Sequence, residues 1–151
     1  MPTPLLTALA TAVLRVRGRP ERILAIGCGE GESVLFLSRE FPSARVRGVD
    51  RSAEAIRRAS ARVGLDPEGR VAFKHAPGRA LPYPEGFFDL VVHLGGPLRA
   101  GEAARVLSPG GSLLLLGSRR LLDWRLRTRG FEALQAGEAA GTPFHFARFC
   151  V

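Results

Sequence analysis

The chain contains no asparagine, one glutamine (Gln135), one lysine (Lys74), one tryptophan (Trp124) and one tyrosine (Tyr83). Scarce thermolabile amides, with arginine at almost every cationic position, resemble the composition of a heat-adapted, high-GC source. Cysteine is scarce too. Cys28 and Cys150 make neither a disulfide framework nor the paired spacing of a zinc site. A bridge between them is not favoured, because cytosolic disulfides are rare. No apolar run is long enough to span a bilayer. The stretch from Leu5 to Val16 has no basic region ahead of it and no clear cleavage site, so it reads as a helix rather than a secretory leader. The expectation is a single cytoplasmic domain over 1–151, with an N-terminal helix in 1–20 and a core in 21–151.

Acidic residues are outnumbered, 14 against 22 basic ones, for a formal charge of +8. Such a balance attracts nucleic acid, and the arginines do cluster: Arg15, Arg17, Arg19 and Arg22, then Arg119, Arg120, Arg125, Arg127 and Arg129. Only Trp124 lies among them, so the aromatic platforms that stack single strands are missing. Solvated arginines are the favoured reading, and a nucleic-acid surface is the alternative.

What is present is an alternation of short apolar strands and amphipathic helices. Thr3 and Pro4 can start a first helix with Leu5, Leu6, Leu9, Val13 and Val16 at helical spacing. Strands are expected at Arg22–Ile26, Arg45–Val49, Arg70–Lys74, Phe87–Leu94 and Ser112–Leu116, and helices at Glu32–Phe41, Ser52–Val63 and Pro97–Leu107. The turn Ser108-Pro109-Gly110-Gly111 should close the last of these helices. A further helix around Leu121–Arg129 precedes two strands, Phe131–Ala136 and Phe144–Val151, joined by a hairpin connection at Gly137–Pro143. This order specifies an α/β fold with a doubly wound, mostly parallel sheet. Ligands in such sheets bind beyond the carboxyl ends of the strands, at the topological switch point. That rule singles out Gly27–Gly31, Asp50, His75–Arg79 and His93–Pro97.

The segment Ile23-Leu24-Ala25-Ile26-Gly27-Cys28-Gly29-Glu30-Gly31 is the most informative. A buried strand runs into a glycine turn with a helix behind it, which presents bare backbone N–H groups to a nucleotide-like ligand. Asp50 ends the next strand, where an acidic side chain can hold ribose hydroxyls.

Motifs in sequence order then carry a resemblance: the glycine motif Ile23–Gly31, Val49-Asp50, the run Leu81-Pro82-Tyr83-Pro84-Glu85-Gly86-Phe87-Phe88-Asp89-Leu90-Val91, and Arg105-Val106-Leu107-Ser108-Pro109-Gly110-Gly111. Together they resemble the class I S-adenosylmethionine-dependent methyltransferases, over nearly the whole chain from Arg22 onward. Arg129-Gly130-Phe131 is similar to that family's step into its closing hairpin. The resemblance implies a Rossmann-like, seven-stranded, mostly parallel sheet with the last strand antiparallel. It implies S-adenosylmethionine as cofactor and a small-molecule acceptor. It places Gly27, Cys28, Gly29 and Gly31 along the methionine part, Asp50 at the ribose, Arg51 along the adenine face, and Ala76, Pro77 and Gly78 in the loop bordering adenine.

The chain departs from the family at Ala25 and Pro77, where acidic residues are usual; Glu30, Glu32 or a backbone carbonyl are the candidate substitutes. His93 is the best-placed general base, against a competing role in shaping the wall or donating to a backbone carbonyl. His75 is a poorer candidate. The segment His93-Leu94-Gly95-Gly96-Pro97 lacks the Asn/Asp-Pro-Pro-aromatic signature of exocyclic-amine methylation, and no metal-binding carboxylate set is evident. The alternatives are a nicotinamide-dependent oxidoreductase, a non-catalytic S-adenosylmethionine-binding module or degenerate partner subunit, and an RNA methyltransferase. Against the first stands Glu32, where the dinucleotide fingerprint wants glycine. Dimerisation through a sheet edge or the first helix is a further expectation.

Overall fold

In the computed structural model, which describes residues 3–16, 18–77, 79–96, 98–117 and 126–150 (backbone alone at 133–135), the elements follow the expected alternation. They are α1 (Pro4–Val13), β1 (Arg22–Ile26), α2 (Glu32–Glu40), β2 (Arg45–Asp50), α3 (Ala53–Val63), β3 (Val71–His75), β4 (Phe88–His93), α4 (Ala100–Val106), β5 (Leu107–Leu116), β6 (Phe131–Ala139) and β7 (Thr142–Phe149). The strands form one sheet in the order β3-β2-β1-β4-β5-β7-β6. Strands β1 to β5 pair in parallel, and β7 runs antiparallel to both β5 and β6. The order reverses between β1 and β4, which opens a crevice at their carboxyl ends.

Both faces of the sheet are covered, and the strand sequences show why. In β1, Ile23 and Ala25 face one core while Leu24 and Ile26 face the other. A strand buried on both sides reads as a continuous apolar run. The first core is closed by α1 and α2, with Ile56 of α3. The second is closed by Ala103 and Val106 of α4, Leu126, and the loop residues Ala76, Leu81 and Tyr83.

Helix α1 starts as its sequence dictates. Thr3 Oγ1 accepts from the Leu6 N–H at 3.1 Å, and Pro4 occupies the first turn, where no N–H is needed. Its Leu9 and Ala12 are fully buried. Just past the helix, Arg15 donates to the Ala136 carbonyl and lies 5.1 Å over the Phe144 ring, which ties α1 to the hairpin. In α3, Ser52 caps the start and Gly64 the end.

Three expectations shift. Helix α4 begins at Ala100 rather than Pro97, which lies outside the described residues. The segment Ser108–Gly111 is a bulge inside β5 rather than a terminating turn: Phe88 faces Leu107, and two residues later Leu90 faces Ser112. Pro109 cannot donate and Gly110 adopts φ +83°, so the backbone loops out and then resumes pairing. The hairpin connection contracts to Ala140-Gly141, both at positive φ, which extends β6 to Ala139 and starts β7 at Thr142. The helix expected near Leu121, with Arg119, Arg120, Trp124 and Arg125, lies largely outside the described residues, as do Arg17 and Gly78.

The family-like motifs turn out to be braces. Asp89 accepts from the Glu21 and Arg22 N–H groups at 2.9 and 3.1 Å, fastening the start of β1 to β4. Arg105 donates to the carbonyls of Tyr83 and Leu81 at 2.7 and 2.8 Å and to Glu102 at 2.6 Å, while Glu102 also accepts from the Leu81 N–H. The hydrogen bond from Arg105, more than the Leu81 bond or the charge, holds the Glu102 carboxyl below its ordinary value, against the opposing effect of burial. Its folded-state pKa is therefore lower than the unfolded one. The stabilisation is complete above about 4.5 and is lost as pH falls through the lower folded-state value. Glu102→Gln is expected to lower stability by about 1–2 kcal/mol at pH 7, with variant and parent converging in acid when urea denaturation is followed across pH.

Candidate nucleoside site at the glycine turn

The site grows from the end of β1. Gly27 and Cys28 both donate to the Val49 carbonyl, at 2.9 and 3.1 Å, so the turn folds over the end of β2. Gly27 sits at φ +76°. A Cβ there would collide with the carbonyl of Gly95, in the loop after β4. Gly31, at φ +94°, is closed in by the Phe73 ring and Ala59 and serves as N-cap of α2. At Gly29 (φ +54°) nothing stands within 4 Å of where a Cβ would be. That open face is where a ligand can approach the backbone.

Asp50 locks this geometry. Its Oδ2 accepts from the Gly29 N–H and its Oδ1 from the Ser52 N–H, both at 2.9 Å. Each carboxylate oxygen retains a lone pair for a further donor. The carbonyl of Asp50 accepts from the Ala76 N–H at 3.0 Å, which brings the end of β3 alongside. His75 donates through Nε2 to the Arg51 carbonyl at 3.0 Å, a positioning contact.

The result is a cleft of about 260 Å³ lined by Gly27, Asp50, Arg51, Ala76, Gly95 and Gly96, with Ile26 and Val49 at its floor. Across Gly27 lies a second cavity of about 280 Å³, between the turn and α1, to which Cys28 and Gly29 contribute. The sequence-derived residues therefore divide. Gly27, Asp50, Arg51 and Ala76 meet at the first cleft, and Cys28 and Gly29 face the second. Gly31 sets the helix start, and exposed Pro77 follows Ala76 outside the lining. Gly78 is not among the described residues.

His93 lines neither cleft. It is half-buried, with Nε2 donating to the Gly96 carbonyl at 2.9 Å. A carbonyl only accepts, so Nε2 carries the proton and only Nδ1 keeps a free lone pair. This is the positioning contact that competes with the general-base role. Burial lowers its pKa, partly offset by the Gly96 bond. Cys28 is buried and its thiol is pushed up to about 12, first by desolvation and then by the Asp50 charge, so it stays a neutral wall group.

Ala25 is fully buried in the core that α1 closes. The candidate substitutes for an acid there are already engaged: Glu30 pairs with Arg58 at 2.9 Å and Glu32 with Arg62 at 3.6 Å. Among the described residues no cluster of His, Cys, Asp and Glu could hold a metal, and no helix is long and apolar enough to cross a membrane. Sequence reasoning placed Gly95 and Gly96 in a switch-point segment but assigned them no ligand role. A glycine pair at the switch-point strand end was the available signal. The wall supplied by α1 had no local signal, because it depends on where a distant helix docks.

Residues 23–111, more than half of the chain, match the family described as a methyltransferase domain. The chain belongs to that family. It is 39% identical over 114 residues to a demethylmenaquinone methyltransferase of Thermus thermophilus, covering 68% of this chain and 50% of the relative. It is 38% identical over 103 residues to a 27-O-demethylrifamycin SV methyltransferase of Amycolatopsis mediterranei, covering 63% and 38%. The chain thus spans half or less of the length of these curated relatives. In fold it is similar to a SAM-dependent methyltransferase from Aquifex aeolicus, with a TM-score of 0.78, 20% identity, and coverage of 99% of this chain and 94% of that one. The seven-stranded, mostly parallel sheet with an antiparallel β7 is the Rossmann-like fold of class I methyltransferases.

Two outcomes test this geometry. Gly27→Ala is expected to cost at least about 2 kcal/mol, from positive φ plus the Gly95 collision. Gly29→Ala, with open space at its Cβ, is expected to cost about 1 kcal/mol; paired urea denaturations check the order. For His93, the folded-state pKa lies below the unfolded one. The unfolded chain therefore binds the proton first, and stability falls as pH drops below about 6.5. His93→Asn is expected to flatten that part of the stability–pH curve.

Proposed function

We propose that the protein binds S-adenosylmethionine and transfers its methyl group to a small-molecule acceptor. The observation that carries this reading is the glycine turn fastened to Asp50, with Gly29 bare toward ligand and the carboxyl ends of β1, β2, β3 and β4 converging on one cleft. Membership of the methyltransferase domain family supports it. The residues fit the cofactor. Asp50 would accept the ribose hydroxyls on its remaining lone pairs, Arg51 would hold the adenine face, Ala76 would border the ring, and the glycines would admit the amino-acid tail. Bound S-adenosylmethionine supplies an electrophilic methyl on a sulfonium, a good leaving group. The protein's contribution is then proximity and in-line alignment, and its rigid turn serves both. His93 holds the Gly95-Gly96 loop through the Gly96 carbonyl and so keeps the cleft's far wall in place.

Relatives bear names that point to different acceptors, among them a fatty acid and a rifamycin, so kinship alone does not choose one. Calorimetric titration with S-adenosylmethionine, S-adenosylhomocysteine and NAD checks the cofactor. Both sulfur compounds are expected to bind and NAD is not, since Glu32 occupies the dinucleotide motif's third glycine position. Asp50→Asn, which loses the charge but keeps the shape, is expected to weaken binding about 10- to 100-fold. Absence of heat with either sulfur compound would sink the proposal. Release of radiolabelled methyl into an acceptor separates an enzyme from a binding module.

A further inference from the structure

We infer that the protein pairs with a second copy of itself through the free edge of β3, the two strands running antiparallel with Phe73 opposite Phe73. Strand β3 ends the sheet, and its one strand partner among the described residues is β2. Pairing edge to edge joins two seven-stranded sheets into one.

The backbone shows which groups are free. The Val46 N–H donates to the Arg70 carbonyl at 2.7 Å, and the Ala76 N–H to the Asp50 carbonyl at 3.0 Å. In a parallel pair with Val46 beside Val71 and Asp50 beside His75, alternate residues of β3 therefore turn their backbone groups to β2. Those residues are Arg70, Ala72, Lys74 and Ala76. Val71, Phe73 and His75 turn theirs outward. The Val71 N–H is held by Asp66 Oδ2 at 2.8 Å. The N–H groups of Phe73 and His75 and the carbonyls of all three have no partner among the described residues. Such an edge is a template for another strand.

Charge selects the partner and the register. A two-fold pairing centred on Lys74 sets Lys74 against Lys74, and one centred on Ala72 sets Lys74 against Arg70. Centred on Phe73, the pairing sets Lys74 against Ala72 and Val71 against His75, with no like charges opposite. The Lys74 ammonium is drawn to its own chain's Tyr83 ring, 5.1 Å from the centroid. Beyond the strand the chain is complementary to itself. Asp66 and Glu68 precede β3, whereas Lys74 ends it and Arg79 follows. Glu68 and Arg79 are both exposed and form no ion pair among the described residues. Arg70, between the acids and the strand, is turned to the Ser38 and Phe41 carbonyls. An antiparallel two-fold brings the acidic approach of each copy against the basic exit of the other, twice.

Two neighbours of the edge fit this arrangement. Leu65, next to the edge-capping Asp66, is a large apolar side chain left 98% exposed, and a second copy would cover it. Arg79 lies on the loop that leaves Ala76, a lining residue of the cofactor cleft. The interface thus borders the cleft without closing it, since Gly27, Gly95 and Gly96 follow β1 and β4 nearer the middle of the sheet.

Sedimentation velocity over about 1–300 µM protein tests the pairing. So short an edge makes a small interface, and a dissociation constant of about 1–100 µM is expected. Ala72→Lys sets two lysines opposite each other at both ends of the pair, and is expected to weaken the dimer about tenfold. Adding Lys74→Glu to it makes those pairs opposite in charge and is expected to restore association. Thermal melts confirm folding. Glu68→Arg, exposed and outside the strand, is a second variant, expected to weaken the dimer about threefold and to be rescued by Arg79→Glu. Amide exchange at Phe73 and His75 is expected to slow as protein concentration rises. A monomer at about 300 µM overturns the inference. So does a dimer that folded Ala72→Lys leaves unweakened, or one in which the Phe73 and His75 amides exchange as fast as in the monomer.

Discussion

The close approach of Gly27 to the carbonyl of Gly95 is the constraint on which the site depends. It joins the end of β1 to the loop after β4 at the place where the strand order reverses. With no side chain between them, the two backbones close one end of a cleft whose other end is held by Asp50. The Asp50 carboxylate bonds the Gly29 N–H and reaches across the same crevice from β2. A larger residue at position 27 would wedge these strands' loops apart, and the cleft would lose its floor and its far wall together.

The parts of the chain that look most like sequence signatures do structural work at a distance from the ligand. Asp89 fastens β4 to the start of β1, and the Glu102–Arg105 pair clamps the loop that contains Leu81 and Tyr83. Both devices satisfy backbone groups that the loops would otherwise leave unpaired in a protein interior. They identify the scaffold, and the chemistry is left to the cleft's rim.

The rim is where this chain differs. Ala25 gives up a carboxylate beneath α1, and its place belongs to a dry core. Glu30 and Glu32 are spent on arginines of α3. The half-buried His93 turns to a carbonyl rather than to the cavity. Glu30, Glu32 and His93 were readable as candidates from their positions at or after a strand end. What the position could not convey was the partner, because these ion pairs and the imidazole orientation are decided by residues 3 to 30 positions away.

The alternation of helices and buried strands, the glycine turn and the aspartate one βαβ unit later were legible in the sequence because each is a local pattern. Periodicity reports burial, and glycine at positive φ reports backbone geometry, whatever lies elsewhere in the chain. Boundaries erred where backbone pairing overrode composition: the Pro-Gly-Gly segment became a bulge within β5, and the hairpin tightened to Ala140-Gly141. Only the tertiary structure decided that α1 forms one wall of a second cavity and that His93 Nε2 is engaged by the Gly96 carbonyl. These are properties of contacts between segments far apart in sequence, and such contacts exist only once the sheet has brought its carboxyl edge together.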